Sequence, residues 1–213
     1  MDKKYFRNLL GDNPSPTLVE LGAADGIDTL EFVREFDDLD FRLFCVEPDP
    51  RNIEVFERTV KDPRVSLFRG VAGNVNSVVD FYQSTHNSIT GQEFIYSSSM
   101  LKPAPKLFET WPVFESEKNF VNIGAFSTTL ENFFRLNRIS FCDLIYMDVQ
   151  GAECLVFEGA KKVLNKIKYI FTECNNDEYY LGAPSLVKMM YSLPNFYIVE
   201  RLGADVLLKN KDL

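Results

Sequence analysis

The sequence has no C-x-x-C pair. Its four cysteines, Cys45, Cys142, Cys154 and Cys174, stand apart, and three of them sit in or next to apolar strand-like runs. That spacing argues against a disulfide framework or a cysteine metal centre and fits buried free thiols in a reducing compartment. Long apolar runs are also missing: none approaches the about 18 residues needed to cross a bilayer. The opening Met1-Asp2-Lys3-Lys4-Tyr5 carries no apolar signal region, so a cytoplasmic location is expected. Positive charge is scarce, with 23 Lys and Arg against 31 Asp and Glu and a net charge of -8. Holding nucleic acid needs a basic surface, so that class of partner is disfavoured. No internal repeat is visible, and the chain reads equally as a whole protein or as one domain of a longer polypeptide.

What is present suits one α/β domain over 1–213: 213 residues, 46% of them apolar, are enough for one full core and too few for two. The chain is organised around Thr17 to Thr29. Leu18 to Leu21 reads as a buried strand, which breaks into Gly22-Ala23-Ala24-Asp25-Gly26 before a helical pattern begins near Asp28. Glycines at 22 and 26 permit positive φ and bare backbone, with the N–H groups opening the next helix pointing outward. Either the turn holds a ligand, or it is the small-residue handover that any parallel α/β unit needs. A second buried run, Phe41 to Val46, ends in Glu47-Pro48-Asp49-Pro50. An acid at the tip of the second strand is what a nucleoside-binding βαβ unit uses on ribose hydroxyls. The G-x-x-x-G spacing is not the G-x-G-x-x-G of dinucleotide binders.

Along the chain, residues 3–10 read as a short helix and Thr29 to Phe36 as another, with Leu30, Val33 and Phe36 inward. A helix with Ile53, Val55, Phe56 and Val60 on its packing face follows the acidic turn, and Val65 to Phe68 is a third strand. Val71-Ala72-Gly73-Asn74 reads as a small-residue turn and Ser77 to Tyr82 as an additional strand. Periodicity then fails from about 83 to 118, a stretch rich in Ser, Pro and aromatics that includes the lone Trp111. Its aromatics favour a lid or insertion over disorder. Phe120 to Ala125 reads as a strand, Thr128-x-x-Glu131 as a capping box, and Asp143 to Met147 as the fourth main strand. A helix is expected from there to about Leu164. Lys168 to Thr172 is the fifth strand, Pro184 opens a helix, and a hairpin closes the chain. The alternation predicts a mostly parallel sheet, helices on both faces and an antiparallel C-terminal hairpin, with ligands beyond the carboxyl ends of the strands.

The stretches Val19 to Gly26, Cys45 to Pro50, Ala72-Gly73-Asn74, Thr128 to Phe133 and above all Leu144 to Ala160 resemble the FkbM family of S-adenosylmethionine-dependent methyltransferases. The resemblance covers roughly residues 17 to 200, poorly over the 83–118 segment. Family members usually carry Asp-Val-Glu-Gly-Ala-Glu where this chain has Asp148-Val149-Gln150-Gly151-Ala152-Glu153. The resemblance implies the seven-stranded, Rossmann-like class I methyltransferase fold. It also implies methyl transfer to an oxygen, of a sugar, glycan or other hydroxyl-bearing acceptor, a deoxyhexose such as rhamnose or fucose being one choice. By the same match Glu20, Gly22, Ala23, Gly26, Glu47, Pro48, Ala72 and Asp148 would surround S-adenosylmethionine, with Glu47 on the ribose and Ala72 near adenine.

Methyl transfer is an in-line displacement, so catalysis is positioning plus removal of a hydroxyl proton. His86, the lone histidine, is a candidate base in the lid segment or a solvated loop residue. Asp148 and Glu173 end neighbouring strands, with Asn175 two positions on. These three could hold Mg2+ against a diol, or else Asp148 acts as base or holds the cofactor while Glu173 anchors the acceptor. Glu153 falls in a first helical turn, where an acid is favoured structurally as much as functionally. Trp111 could stack on a sugar or close over the core. Two rival functions remain: a nicotinamide-type Rossmann oxidoreductase or epimerase, against which there is no Tyr-x-x-x-Lys pair, and a non-catalytic nucleoside-binding module.

Overall fold

The computed structural model describes residues 2–213. In chain order the elements are helix α1 (Lys3–Leu10), strand β1 (Thr17–Leu21), α2 (Ile27–Glu35), β2 (Arg42–Glu47), α3 (Pro50–Thr59) and β3 (Val65–Arg69). Four short strands follow, β4 (Val71–Ala72), β5 (Val78–Val79), β6 (Tyr82–Ser84) and, after α4 (Pro105–Thr110), β7 (Phe120–Asn122). The rest runs β8 (Ala125–Thr128), α5 (Leu130–Leu136), β9 (Cys142–Met147), α6 (Glu153–Glu158), β10 (Ile167–Glu173), α7 (Leu186–Tyr191), β11 (Phe196–Leu202) and β12 (Asp205–Asn210).

Seven strands form one sheet in the order β11-β12-β10-β9-β1-β2-β3. The four central pairings among β10, β9, β1, β2 and β3 are parallel, and β12 joins β10 and β11 antiparallel. A parallel sheet buried on both sides needs apolar residues on both faces, which is why β1 is buried throughout. Val19 and Leu21 pack on one side with Phe133, Phe134, Val156 and Met189. Leu18 packs on the other with Phe6, Phe32, Phe36 and Phe56. Phe6 brings α1 into that layer, edge-on to Phe171 at 5.1 Å and Tyr146 at 5.8 Å. Burying such a ring contributes about 1.5–3 kcal/mol.

Residues 83–118 are ordered around a small core of their own, in which Leu107 and Phe114 meet Phe120 and Tyr180. Hydrophobic periodicity missed this because the segment buries its aromatics from turns rather than from one face of a long element. Other local expectations change for local reasons. Val71-Ala72 is strand β4, paired with β8, not a turn. The expected 77–82 strand is two pieces, β5 and the start of β6, while Phe120 to Ala125 breaks at Gly124, whose φ is +64°. The cap of α5 is Thr129, whose side chain accepts from the Asn132 N–H, so Thr128 ends a strand and Glu131 accepts instead from the Lys162 N–H. Helix α6 stops at Glu158, short of Leu164, with Gly159 as its C-cap; Gly159 lies against the Gly73 carbonyl, where a Cβ would come within 2.0 Å. Ser185 caps α7, so Pro184 precedes the helix rather than opening its first turn. On α2 the inward residues are Thr29 and Phe32 as well as Phe36, with Leu30 and Val33 half-buried.

Candidate active site

The carboxyl ends of β1, β2 and β9 open on a cavity of about 330 Å³. Its floor is the turn after β1. Gly22 has φ +84°, and a Cβ there would meet the Asp148 carbonyl at 2.0 Å, so glycine is required by the close approach of β1 and β9. Gly26, φ +85°, backs onto Val60 and Phe56, where a Cβ would clash at 2.7 and 2.9 Å, and it does not line the cavity. Both glycines thus answer to protein packing first. Five of the turn's N–H groups are also committed: Gly22 and Ala23 donate to the Val46 carbonyl, Gly26 to Ala23, Ala24 to Glu47 and Ile27 to the Asp25 side chain. These five are spent within the protein and are not free for a phosphate.

Gly22, Ala23, Glu47, Pro48, Ala72 and Asp148 line the cavity. Glu20 does not: it points from β1 into the layer under α2, accepting from Thr29 at 2.5 Å and Cys45 at 3.4 Å, with Oε1 unpartnered. Period-two alternation puts it on the face opposite Val19 and Leu21, and the expectation that it touches the cofactor fails for that reason. Glu47 is 5% exposed and holds the turn by accepting from the Ala24 and Asp49 N–H groups, each at 2.9 Å, and from Asn52 Nδ2 at 3.2 Å. Burial pushes its carboxyl up to about 7 against the pull of those bonds.

Sequence reasoning did not single out three contributors at the level of residues. Asn52 lines the cavity with its amide fixed by two acceptors, Glu47 and the Ile95 carbonyl, which leaves Oδ1 buried without a partner. Its place, five residues past Glu47 in the first turns of α3, was the available signal. Ile95 to Met100, from the aperiodic segment, cover the cavity. They are pinned by Tyr96 donating to Asp25 at 3.1 Å and Ser99 donating to the Gln150 carbonyl at 2.8 Å. Asp25 and Asp28 add two more carboxylates to the wall. Asp25, Asp28, Glu47 and Asp148 line the cavity and no Lys or Arg does.

Asp148 is open to the cavity yet crowded by protein. That crowding, and then the charge of Glu173, raise its carboxyl from 3.8 to about 6, while the Gln150 amide, 2.6 Å away, pulls the other way. A notch adjoins the cavity across Gln150 and is lined by Glu153, Glu173, Asn175, Asp177 and Tyr179. Glu153 is buried, accepts from the Gly151 N–H at 3.1 Å, and has its carboxyl lifted to about 7 by that burial. Asn175 donates to Glu173 at 3.0 Å. Asp148 thus faces the cavity while Glu173 and Asn175 line the notch, each carboxylate answered by an amide two positions on. Among the described residues no three His, Cys, Asp or Glu side chains gather as metal ligands, so the Mg2+ expectation finds no assembled site. His86 lines neither space: it is exposed, bonded to Thr85 at 2.9 Å and beside Asn119 at 3.3 Å, because β6 carries it past the cavity. Trp111 is 52% exposed at the end of α4 and also lies outside both.

The cavity fits S-adenosylmethionine in its donor set. Apolar Val46, Val71, Ala72, Phe81 and Met100 suit an adenine, Glu47 and Asn52 suit ribose hydroxyls, and four carboxylates suit a cationic sulfonium and ammonium. No transmembrane helix accompanies it: among the described residues none is long and apolar enough to cross a membrane.

Residues 20–203 match the methyltransferase FkbM domain as a family. The chain is 31% identical over 208 residues to the 2-O-methyltransferase NoeI of Sinorhizobium fredii, covering 95% of this chain and 82% of that one. It is similar in fold to methyltransferase FkbM from Methylobacillus flagellatus, with a TM-score of 0.54 at 15% identity. That match covers 92% of this chain but 44% of the other, so the chain spans under half of that protein. Fibrillarin of Aeropyrum pernix, solved with natively bound S-adenosyl-L-methionine, superposes with a TM-score of 0.50 at 14% identity over 97% of this chain and 74% of its own.

Proposed function

The chain belongs to the FkbM methyltransferase family of S-adenosylmethionine-dependent O-methyltransferases, and from that premise we propose that its acceptor is a sugar or glycan hydroxyl. The observation that carries the cofactor assignment is the charge of the cavity's lining, four carboxylates and no Lys or Arg, around a turn most of whose N–H groups are already bonded. A dinucleotide brings two phosphate charges into its site and needs donors for them; a sulfonium with an ammonium group needs the reverse. The nicotinamide reading therefore loses its physical basis.

Bound S-adenosylmethionine supplies an electrophilic methyl group on a cationic sulfur. The protein's part is to hold it, orient the acceptor and take up a proton. Glu47, Asn52 and the wall from Val71 to Ala72 are assigned to the nucleoside. With its carboxyl near 6, Asp148 is mostly ionised at neutral pH and is the residue we assign to receive the acceptor's hydroxyl proton. The notch beside it offers Glu173, Asn175 and Tyr179 for neighbouring hydroxyls, the donor and acceptor set a polyol uses. The 2-O-methyltransferase relative, named for one numbered oxygen, supports an acceptor whose hydroxyls must be told apart.

Calorimetric titration of S-adenosylmethionine and of NAD into wild type and Glu47→Ala tests the cofactor. Binding of the methyl donor and not NAD, weakened at least about tenfold in the variant, is expected. Preference for NAD, or no donor binding, would sink the reading. Transfer of labelled methyl to a panel of rhamnosides, fucosides and glucosides then tests the acceptor class. Methylation of amines or of no glycoside would overturn it.

A further inference from the structure

Gln150 stands where this chain departs from the motif its resemblance rests on, with an amide in place of a carboxylate. Its backbone is left-handed, φ +52°, a conformation unfavourable for a residue with a side chain and held here by the surroundings. The next residue, Gly151, has φ +91° and packs on Tyr180 and Ala183, where a Cβ would come within 3.3 and 2.9 Å. The turn therefore cannot relax without moving the segment after β10. Three polar atoms of Gln150 are used. Nε2 donates to Asp148 Oδ1 at 2.6 Å, Oε1 accepts from the Tyr180 hydroxyl at 3.1 Å, and the backbone carbonyl accepts from Ser99 at 2.8 Å. The Tyr180 hydroxyl shares its one proton between Gln150 Oε1 and the nearer Ser97 carbonyl at 2.8 Å, so both partners belong to or hold the segment covering the cavity. Gln150 is the one side chain among these that borders both the cavity and the notch.

We propose that Gln150 is a positioning residue: it holds the Asp148 carboxylate toward the cofactor cavity and ties that carboxylate to the segment covering the cavity. The charges acting on Asp148 come from acids, Glu173 on β10 and Asp28 at the start of α2, and Asp148 in turn acts on Glu153 of α6 and on the hydroxyls of Tyr146 and Tyr180. Gln150 supplies the donor that this acidic setting lacks. An ionised glutamate at 150 could accept from Tyr180 but could not donate to Asp148; it would repel it. The amide is thus matched to its two neighbours, one acceptor and one donor.

The inference rests on the methyltransferase reading and is tested by a double-mutant cycle, which a role of Gln150 that does not run through Asp148 would leave additive. Affinity for S-adenosylhomocysteine is measured for wild type, Gln150→Met, Asp148→Asn and the double variant at about pH 8, above the raised value of Asp148. Each single variant is expected to bind about tenfold more weakly, the scale of one hydrogen bond to a charged group, and the double variant no worse than Asp148→Asn alone. Tyr180→Phe, which frees Gln150 Oε1 without touching Asp148, is expected to weaken binding in the wild-type background and not in Asp148→Asn; it serves if Gln150→Met fails to fold. Additive losses of about a hundredfold in the double variant, or unchanged affinity in Gln150→Met, would overturn the proposal. Should wild type not bind S-adenosylhomocysteine at all, the methyltransferase reading fails separately. The coupling is then decided by the same cycle in unfolding midpoint of the ligand-free protein, where additivity again overturns it.

Discussion

Glu20 lies on β1, 1% exposed, with one oxygen accepting from Thr29 and Cys45 and the other unpartnered. Burial raises its carboxyl from 4.5 to about 7, and the Thr29 bond only partly offsets this. An acid whose folded pKa is raised binds more protons folded than unfolded between those two values, so it makes the protein less stable as pH rises from 4.5 to 7. Above 7 the full cost of burying the charge is present. Glu20→Gln keeps the shape, removes the charge and can still bond to Thr29. We expect it to stabilise the ligand-free protein by about 1–3 kcal/mol at pH 8, an effect that vanishes below about pH 4.5. Urea unfolding at the two pH values measures it, and a less stable variant at pH 8 would contradict the assignment. Glu20 also marks a limit of the sequence reading. An acid just before a glycine turn is read as ligand-facing, but the pleat turns it to the opposite face, and only the pairing of Glu20 with Thr29 and Cys45 reveals that.

At the scale of elements, the strands and their tips were legible because parallel strands buried on both faces are continuous apolar runs, and an acid after such a run stands out. Glu47, Asp148 and Glu173 therefore read from sequence alone as the tips of the strands that form β2, β9 and β10. The helix ends were less legible, since several adjacent residues can cap. Thr128 and Thr129 are equivalent by type, and the strand pairing of Thr128 with Ala72 decides that Thr129 takes the cap. Thr129→Ala is accordingly expected to cost about 1 kcal/mol, and Thr129→Gly only a few tenths, because glycine at a cap lets water solvate the freed N–H. Chemical denaturation compares the two; equal losses, or none, would remove Thr129 from the cap. The 83–118 segment reads as a lid or insertion, but which of its residues wall the site, Ile95 to Met100, is not legible. It is held by bonds from Asn52, Asp25 and Gln150, residues 43 to 71 positions away along the chain, and such pairings leave no periodic trace.

For the whole molecule, the same acidity that selects the cofactor sets the response to pH. Glu20, Glu47 and Glu153 sit in three different places, the core under α2, the tip of β2 and the start of α6, and each has a buried carboxyl lifted from 4.5 to about 7. All three push in one direction: ligand-free stability falls as pH rises from about 4.5 to about 7 and levels off above. Asp62 is lowered by Arg64 below 3.8, so its contribution is complete at higher pH and lies outside this window. With three groups each contributing up to about 1.4 kcal/mol per pH unit, the ligand-free protein should melt at least about 5 °C higher near pH 5.5 than near pH 8. A cationic ligand beside Glu47 and Asp148 favours their charged forms, so saturating S-adenosylmethionine should raise the midpoint more at pH 8 than at pH 5.5 and narrow the gap. Scanning calorimetry with and without the methyl donor reads both effects. A ligand-free midpoint that climbs between pH 5.5 and 8 would mean that these carboxyls are not held protonated by the fold. A gap left unchanged by the donor would mean that its positive charge does not reach the cavity's acids.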